Sequence, residues 1–173
     1  MVSIILNKKS QVFTIDFIIG FLMFIFIAII AGKQLLNILP SDSYAELYGE
    51  NTYLSNKLLQ PGYPLDWTPG NVLIPGFASS NRLDKTKLDN LNTFSYDEIK
   101  SFYHISSEFI FYFREDAGII NISNKCNYGF AISTNLSTCE PNFQSLGYSD
   151  LVKSSRLIIY NSSIIEMVLF SWN

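Results

Sequence analysis

One carboxylate stands where an ordinary membrane anchor has no use for it. In NKKSQVFTIDFIIGFLMFIFIAIIAGKQLLN, residues 7–37, Asp16 follows Lys9 by seven residues and opens directly onto a long apolar run. A charge at that depth is costly, so it is retained where it has a partner. Other residues able to do chemistry are few. His104 is the sole histidine, and a lone His reads as a surface or capping residue. No second His, and no Cys at metal-ligand spacing, completes a zinc site. There is no G-x-S-x-G, no P-loop and no G-x-G-x-x-G. The acid pairs Asp97-Glu98 and Glu115-Asp116 fall at a helix start and a turn tip, the usual solvated places. Trp67 with Tyr63 could line a ligand groove, although a buried loop anchor is the plainer reading. No catalytic, cofactor-binding or metal-ligating residue is assigned, no cofactor is expected, and the chain does not read as an enzyme.

The elements that position Asp16 begin with the apolar run. Phe17 to Ala31 holds no charged residue. That is slightly short of the roughly 20 residues that cross a bilayer. The helical pattern continues through Lys33, which can snorkel, to Leu39. As one helix, residues 11–39 would be roughly 43 Å long at about 1.5 Å per residue. Lys8 and Lys9 put the N-terminus in the cytoplasm by the positive-inside rule, and everything after the helix outside. The chain has 12 basic and 15 acidic residues; without Lys8, Lys9, Lys33 and Asp16 the exterior part carries 9 and 14, a net of −5. A mildly acidic surface argues against nucleic acid as a partner.

An oxidising exterior suits Cys126 and Cys139, which enclose a short polar loop as a disulfide; the alternative is two buried free thiols. Three N-x-[ST] sequons, at Asn121, Asn135 and Asn161, also suit a secreted surface, though each is a weak signal in an Asn- and Ser-rich chain. Pro40 kinks or ends the first helix. Ser41, Asp42 and Ser43 offer N-cap oxygens to a second helix reaching Leu59. Residues 61–82 read as a compact loop built around Trp67. Asp84 caps a short helix to Asn92, and Ser95-Tyr-Asp-Glu98 is a capping box for another, to about Tyr103. The period then changes. Glu108 to Arg114, a turn at 115–118 and Ile119 to Ile122 predict a hairpin. Tyr128 to Ser133 predicts a strand. Arg156 to Tyr160, a turn at Asn161-Ser-Ser and Ile164 to Trp172 predict a closing hairpin. Its last strand is too continuously apolar to be wet on one face, so it should be central and covered on both, with the protruding helix covering one.

Lys8-Lys9-Ser10-Gln11, followed at once by an apolar helix with one acid near its start, resembles the leader of archaeal type IV pilin-like proteins, a class III signal peptide. In that family a membrane-embedded prepilin-type peptidase cuts after a small residue and before an apolar segment that is kept. The resemblance implies a cut between Ser10 and Gln11, with Lys8, Lys9, Ser10 and Gln11 carrying processing. It implies that Asp16 carries assembly, by pairing with the freed α-amino group of a neighbouring subunit. Asp16 stands one position later than the acid of the commonest pilin pattern, about 100° around a helix, and Ser10 replaces the usual Gly. PGYPLDWT, SYDEIK, EFIFYF and the closing hairpin look more loosely like uncharacterised archaeal membrane-anchored proteins with such leaders.

The resulting expectation is an α+β fold. Residues 1–10 form a cytoplasmic leader and 11–39 a transmembrane and protruding helix. Residues 40–173 form an extracellular domain in which an antiparallel sheet of about four to six strands packs against helix. The implied partners are the membrane, a prepilin-type peptidase and like or related pilin subunits; the implied role is a structural subunit, major or minor, of a type IV pilus-like surface filament. The alternative is a monomeric single-pass anchored extracellular binding or sensor domain.

Overall fold

The computed structural model describes residues 8–38, 42–132 and 139–173, with side chains described over the same ranges except 8–14, 35–38 and 145. The chain divides into two compact units, residues 1–41 and 42–173. The first is one helix, α1, Lys8–Ile38. Its helical backbone starts three residues before the expected Gln11, so the Ser10–Gln11 bond lies within the helix. The expected kink at Pro40 lies outside the described residues.

The second unit is a layer of helices on one face of a seven-stranded sheet. Its elements are α2, Asp42–Leu58; β1, Ala78–Ser79; β2, Arg82–Leu83; α3, Lys85–Leu91; α4, Tyr96–Tyr103; β3, Glu108–Glu115; β4, Gly118–Ile120; β5, Tyr128–Gly129; β6, Leu151–Tyr160; and β7, Ser163–Trp172. The strand order is β1-β2-β6-β7-β3-β4, with β5 also on β3. The sheet is mixed rather than antiparallel throughout, because β2 meets β6 in parallel at Arg82 and Ile159. Strands β1 and β2 were hidden in the predicted 61–82 loop. They turn through Ser80 and Asn81, both at positive φ. Ser-Asn is a weaker hairpin signal than Asn-Gly, which enters this conformation at less cost.

Both short helices start where their caps predicted. Asp84 accepts from the Lys87 amide, and Ser95 and Glu98 form the reciprocal capping box. Strand β5 stops after Gly129, short of the predicted Ser133. Gly129 has φ 106°, and a Cβ there would lie 2.6 Å from the Phe109 carbonyl oxygen. Conversely, β6 starts five residues earlier than its apolar part, because Lys153 and Ser155 occupy exposed alternate positions that period-2 reading must tolerate.

Strand β7 is central, between β6 and β3, as its continuous apolar run predicted. Ile165, Met167 and Leu169 point to one face with Phe109, Phe111 and Phe113 of β3. There they meet Leu54 and Leu58 of α2, Trp67, Phe77, Leu88 and Tyr103 in one buried cluster. The sequence assigned this cover to the protruding first helix; the helix lying on the face is α2. Asn51 of α2 is buried with it and donates to Ser171 Oγ at 2.9 Å. On the opposite face Ile110 and Val168 are fully buried. Phe143 covers Phe170 at 4.5 Å between ring centroids, and Phe130 meets Trp172 edge-on at 5.5 Å.

Ahead of β1, residues 61–77 pack down through three side chains, which is why this part of the loop needs no strand or helix of its own. Trp67 Nε1 donates to Gly76 O at 2.8 Å, and Tyr103 Oη donates to Pro75 O at 2.7 Å. Lys87 Nζ donates to Pro61 O and Leu65 O, both at 2.6 Å. Gly76 is required there, since a Cβ would collide with the Gln60 carbonyl.

Candidate functional site

The apolar helix is the first candidate. Ile15–Gln34 is a 20-residue span with mean hydropathy 2.6, long and apolar enough to cross a membrane. At about 1.5 Å per residue it covers roughly 30 Å, the thickness of a hydrocarbon core. Its side chains are exposed all round: Phe17 is 69% exposed, Phe24 69% and Ile27 63%. A helix apolar on every side requires an apolar environment on every side, which water does not offer. Asp16 is the second residue of this span and is exposed. Lys8, Lys9, Ser10 and Gln11 lie on the first turn of the same helix. Phe17 and Phe21, one turn apart, stack at 6.3 Å.

In the second unit, the sequence candidates take structural places. Trp67 is buried as the anchor of its loop, whereas Tyr63 is 61% exposed, so the pair does not form a groove. His104 is the C-cap of α4, with φ 52°. Glu98 is committed to its capping box. Glu115 and Asp116 are exposed at the tip of the β3–β4 hairpin. Cys126 and Cys139 are joined in a disulfide, with Cα atoms 5.5 Å apart. Asn121 and Asn161 are exposed, Asn161 in the turn between β6 and β7. Asn135 lies outside the described residues.

Two half-buried carboxylates, Glu50 and Glu108, tie elements of this unit together. Burial raises the Glu50 carboxyl, but hydrogen bonds from Ser107 and Ser106 outweigh it and hold the group below the usual range. Both backbone amides reach it at 3.0 Å, tying α2 to the entry of β3. Burial likewise raises Glu108, and Lys100 and Tyr96 more than reverse it. Tyr96 Oη donates to Glu108 at 2.6 Å while Phe109 N donates to Tyr96, closing a relay that fixes α4 on β3. Among the described residues no group of three His, Cys, Asp or Glu is placed to hold a metal ion.

One concave surface was not foreseen. A groove of about 850 Å³ lies on the sheet face opposite α2, beside the β3–β4 hairpin. Tyr112, Ile164 and Leu157 form its apolar floor, and Ile164 and Leu157 are each 70% exposed. Arg114 is ion-paired with Glu166 across the β3–β7 register, and Glu115 and Asp116 line the rim. A side-chain hydrogen bond from Ser155 lowers the Glu166 carboxyl, burial opposes it, and Arg114 adds to the lowering. The only sequence signal for this groove was the join of two hairpins, and register decides which residues share its face. Compared with known proteins, the chain matches no family model, no curated protein and no solved structure.

Proposed function

We propose that the chain is a subunit of a type IV pilus-like surface filament. Lys8, Lys9, Ser10 and Gln11 direct a prepilin-type peptidase to the Ser10–Gln11 bond. The apolar helix first anchors the chain in the membrane, with the second unit outside. It then packs against the helices of like or related subunits. The observation that carries this reading is a 20-residue apolar span with an acid as its second residue. In a plain anchor that acid would sit at headgroup level beside Lys9. A subunit whose neighbour presents a free α-amino group gains an ion pair in a medium of low dielectric, where pairing is strong. The all-round apolar surface further supports the reading, because helices in such a bundle touch neighbours on several sides.

Substituting Asp16 by Ala leaves the anchor and the peptidase recognition residues intact. Processing should proceed and filament yield should fall at least about tenfold, the effect of losing roughly 1.4 kcal/mol per contact. Asp16→Glu should retain more assembly than Asp16→Asn. Normal filaments from Asp16→Ala would remove the assembly role.

The second reading, a monomeric membrane-anchored binding domain, is favoured by the groove at Tyr112, Leu157 and Ile164, whose size suits a small ligand. It requires neither cleavage nor Asp16. On that reading Ser10 tolerates bulky replacement.

A further inference from the structure

The two sides of the sheet end differently. Strand β6 has β7 on one side along its whole length. On its other side, among the described residues, only Ile159 is met by a strand, through Arg82 of β2. The Ile159 amide points to that side, donating to Asn81 O at 2.8 Å. Backbone groups alternate along a strand, so Lys153, Ser155 and Leu157 present theirs to the same open side. All three are exposed. Among the described residues, the Ser155 carbonyl accepts only from the neighbouring Arg156 guanidinium, at 3.2 Å. This strand carries Lys153 and Arg156 and no acid.

The far end of the sheet is its opposite in charge. Among the described residues, strand β4 is the last strand there and pairs only with β3. The hairpin it closes carries Glu115 and Asp116 at an exposed tip. Among the described residues, the stretch of β6 not met by β2 is thus an open edge carrying two basic residues, and the edge at β4 is an open one carrying two acids at its hairpin tip.

We propose that the β3–β4 hairpin of one copy docks against the open edge of β6 of a second copy, continuing the sheet between subunits. Strand β4 supplies main-chain donors and acceptors to Lys153, Ser155 and Leu157, as in strand addition to a free edge. Glu115 and Asp116 reach Lys153 and Arg156. Ile119, half-buried in one copy, comes beside Leu157, which is 70% exposed. Because the two surfaces differ and lie at opposite ends of one sheet, each copy offers both. Such a head-to-tail contact closes into a ring only where the rotation between subunits returns to its start; otherwise it propagates along a row of subunits. This deepens the filament reading and rests on it for a reason to propagate. A single pair of edges could not do so if they were alike.

The test uses the full-length chain in native membranes. Cells co-express two distinguishable tagged copies, one carrying Ser155→Cys and the other Ala117→Cys, and are treated with a short bismaleimide. Crosslinks between the two tags are expected. Adding Lys153→Glu and Arg156→Glu to the first copy should cut them about tenfold, and adding Glu115→Lys and Asp116→Lys to the second should restore most of the loss, as expected for complementary charges. Membrane abundance and an intact Cys126–Cys139 disulfide keep misfolding distinguishable from lost docking. Crosslinks joining only copies that both carry Ser155→Cys would mean a symmetric edge and would overturn the proposal, as would none in any pairing. Crosslinks without filaments support the contact and count against the filament reading. Filaments without crosslinks overturn the contact alone.

Discussion

The two units solve opposite problems. The second buries a core of its own. Its core side chains meet one another across α2, the loop and the sheet, and the half-buried Glu50 and Glu108 find amides or hydroxyls inside the same unit. The first satisfies nothing. From Ile15 to Gln34 every residue is exposed, most of them large and apolar, and Asp16 sits among them. A chain segment built this way is incomplete until something outside it supplies an apolar surround. The contrast teaches where to look for function. A self-contained unit tolerates surface change and fails through its core. An incomplete one fails through loss of its surroundings.

That contrast can be broken from either side, and the largest effect belongs to the second unit. Trp67→Ala removes a buried ring and its hydrogen bond to Gly76, and should cost about 3–5 kcal/mol. Thermal unfolding of that unit in detergent-solubilised protein should shift down by roughly 10–20 °C, while the chain stays in the membrane pellet. Ile25→Arg does the reverse. A guanidinium at the centre of the span should cost about 2.5–3.5 kcal/mol of insertion. The chain should leave the alkali-resistant membrane fraction, with the unfolding of the second unit unchanged. If either substitution disturbed both measurements equally, the division of labour would be wrong.

A smaller effect comes from acid. The folded pKa values of Glu50 and Glu108 are lowered, so the stability they contribute is full above the ordinary glutamate value, near 4.3, and is lost as pH falls through their folded values. Acid should therefore loosen the attachment of α2 and α4 to β3. Glu50→Gln should cost about 1 kcal/mol at neutral pH after screening of a partly exposed group, and should flatten the stability profile below pH 5. An unchanged profile would mean the Ser106 and Ser107 amides are satisfied without the charge.

Much of the second unit could be read from sequence where local chemistry sets the answer. Asp84 and the Ser95–Glu98 box start their helices because a side-chain oxygen placed three residues ahead of an amide needs no tertiary help. The centrality of β7 followed from an apolar run that no half-wet strand carries. Reading failed where the answer depended on distant partners. Two-residue strands β1 and β2 exist because β6 offers an edge, which no window around Ser80 reveals. The polar start of β6 is held by pairing with β7. The cover over the sheet came from the second helix because Leu47, Leu54 and Leu58 share a face with Asn51, which finds Ser171 across a separation of 120 residues. Of the candidate site, Asp16 and the lysines before it stood out because their types conflict with their surroundings. The groove beside the β3–β4 hairpin did not, since Leu157 and Ile164 look like core residues until register turns them outward.

The account depends most on whether the leader is removed. Mass spectrometry of the N-terminal peptide, from protein isolated in native cell membranes, decides this directly. A mature chain beginning at Gln11 is predicted. A chain that still carries Lys8 and Lys9 ahead of Ser10 would contradict the account, leave Asp16 without its counter-charge, and move the function to the groove of the second unit.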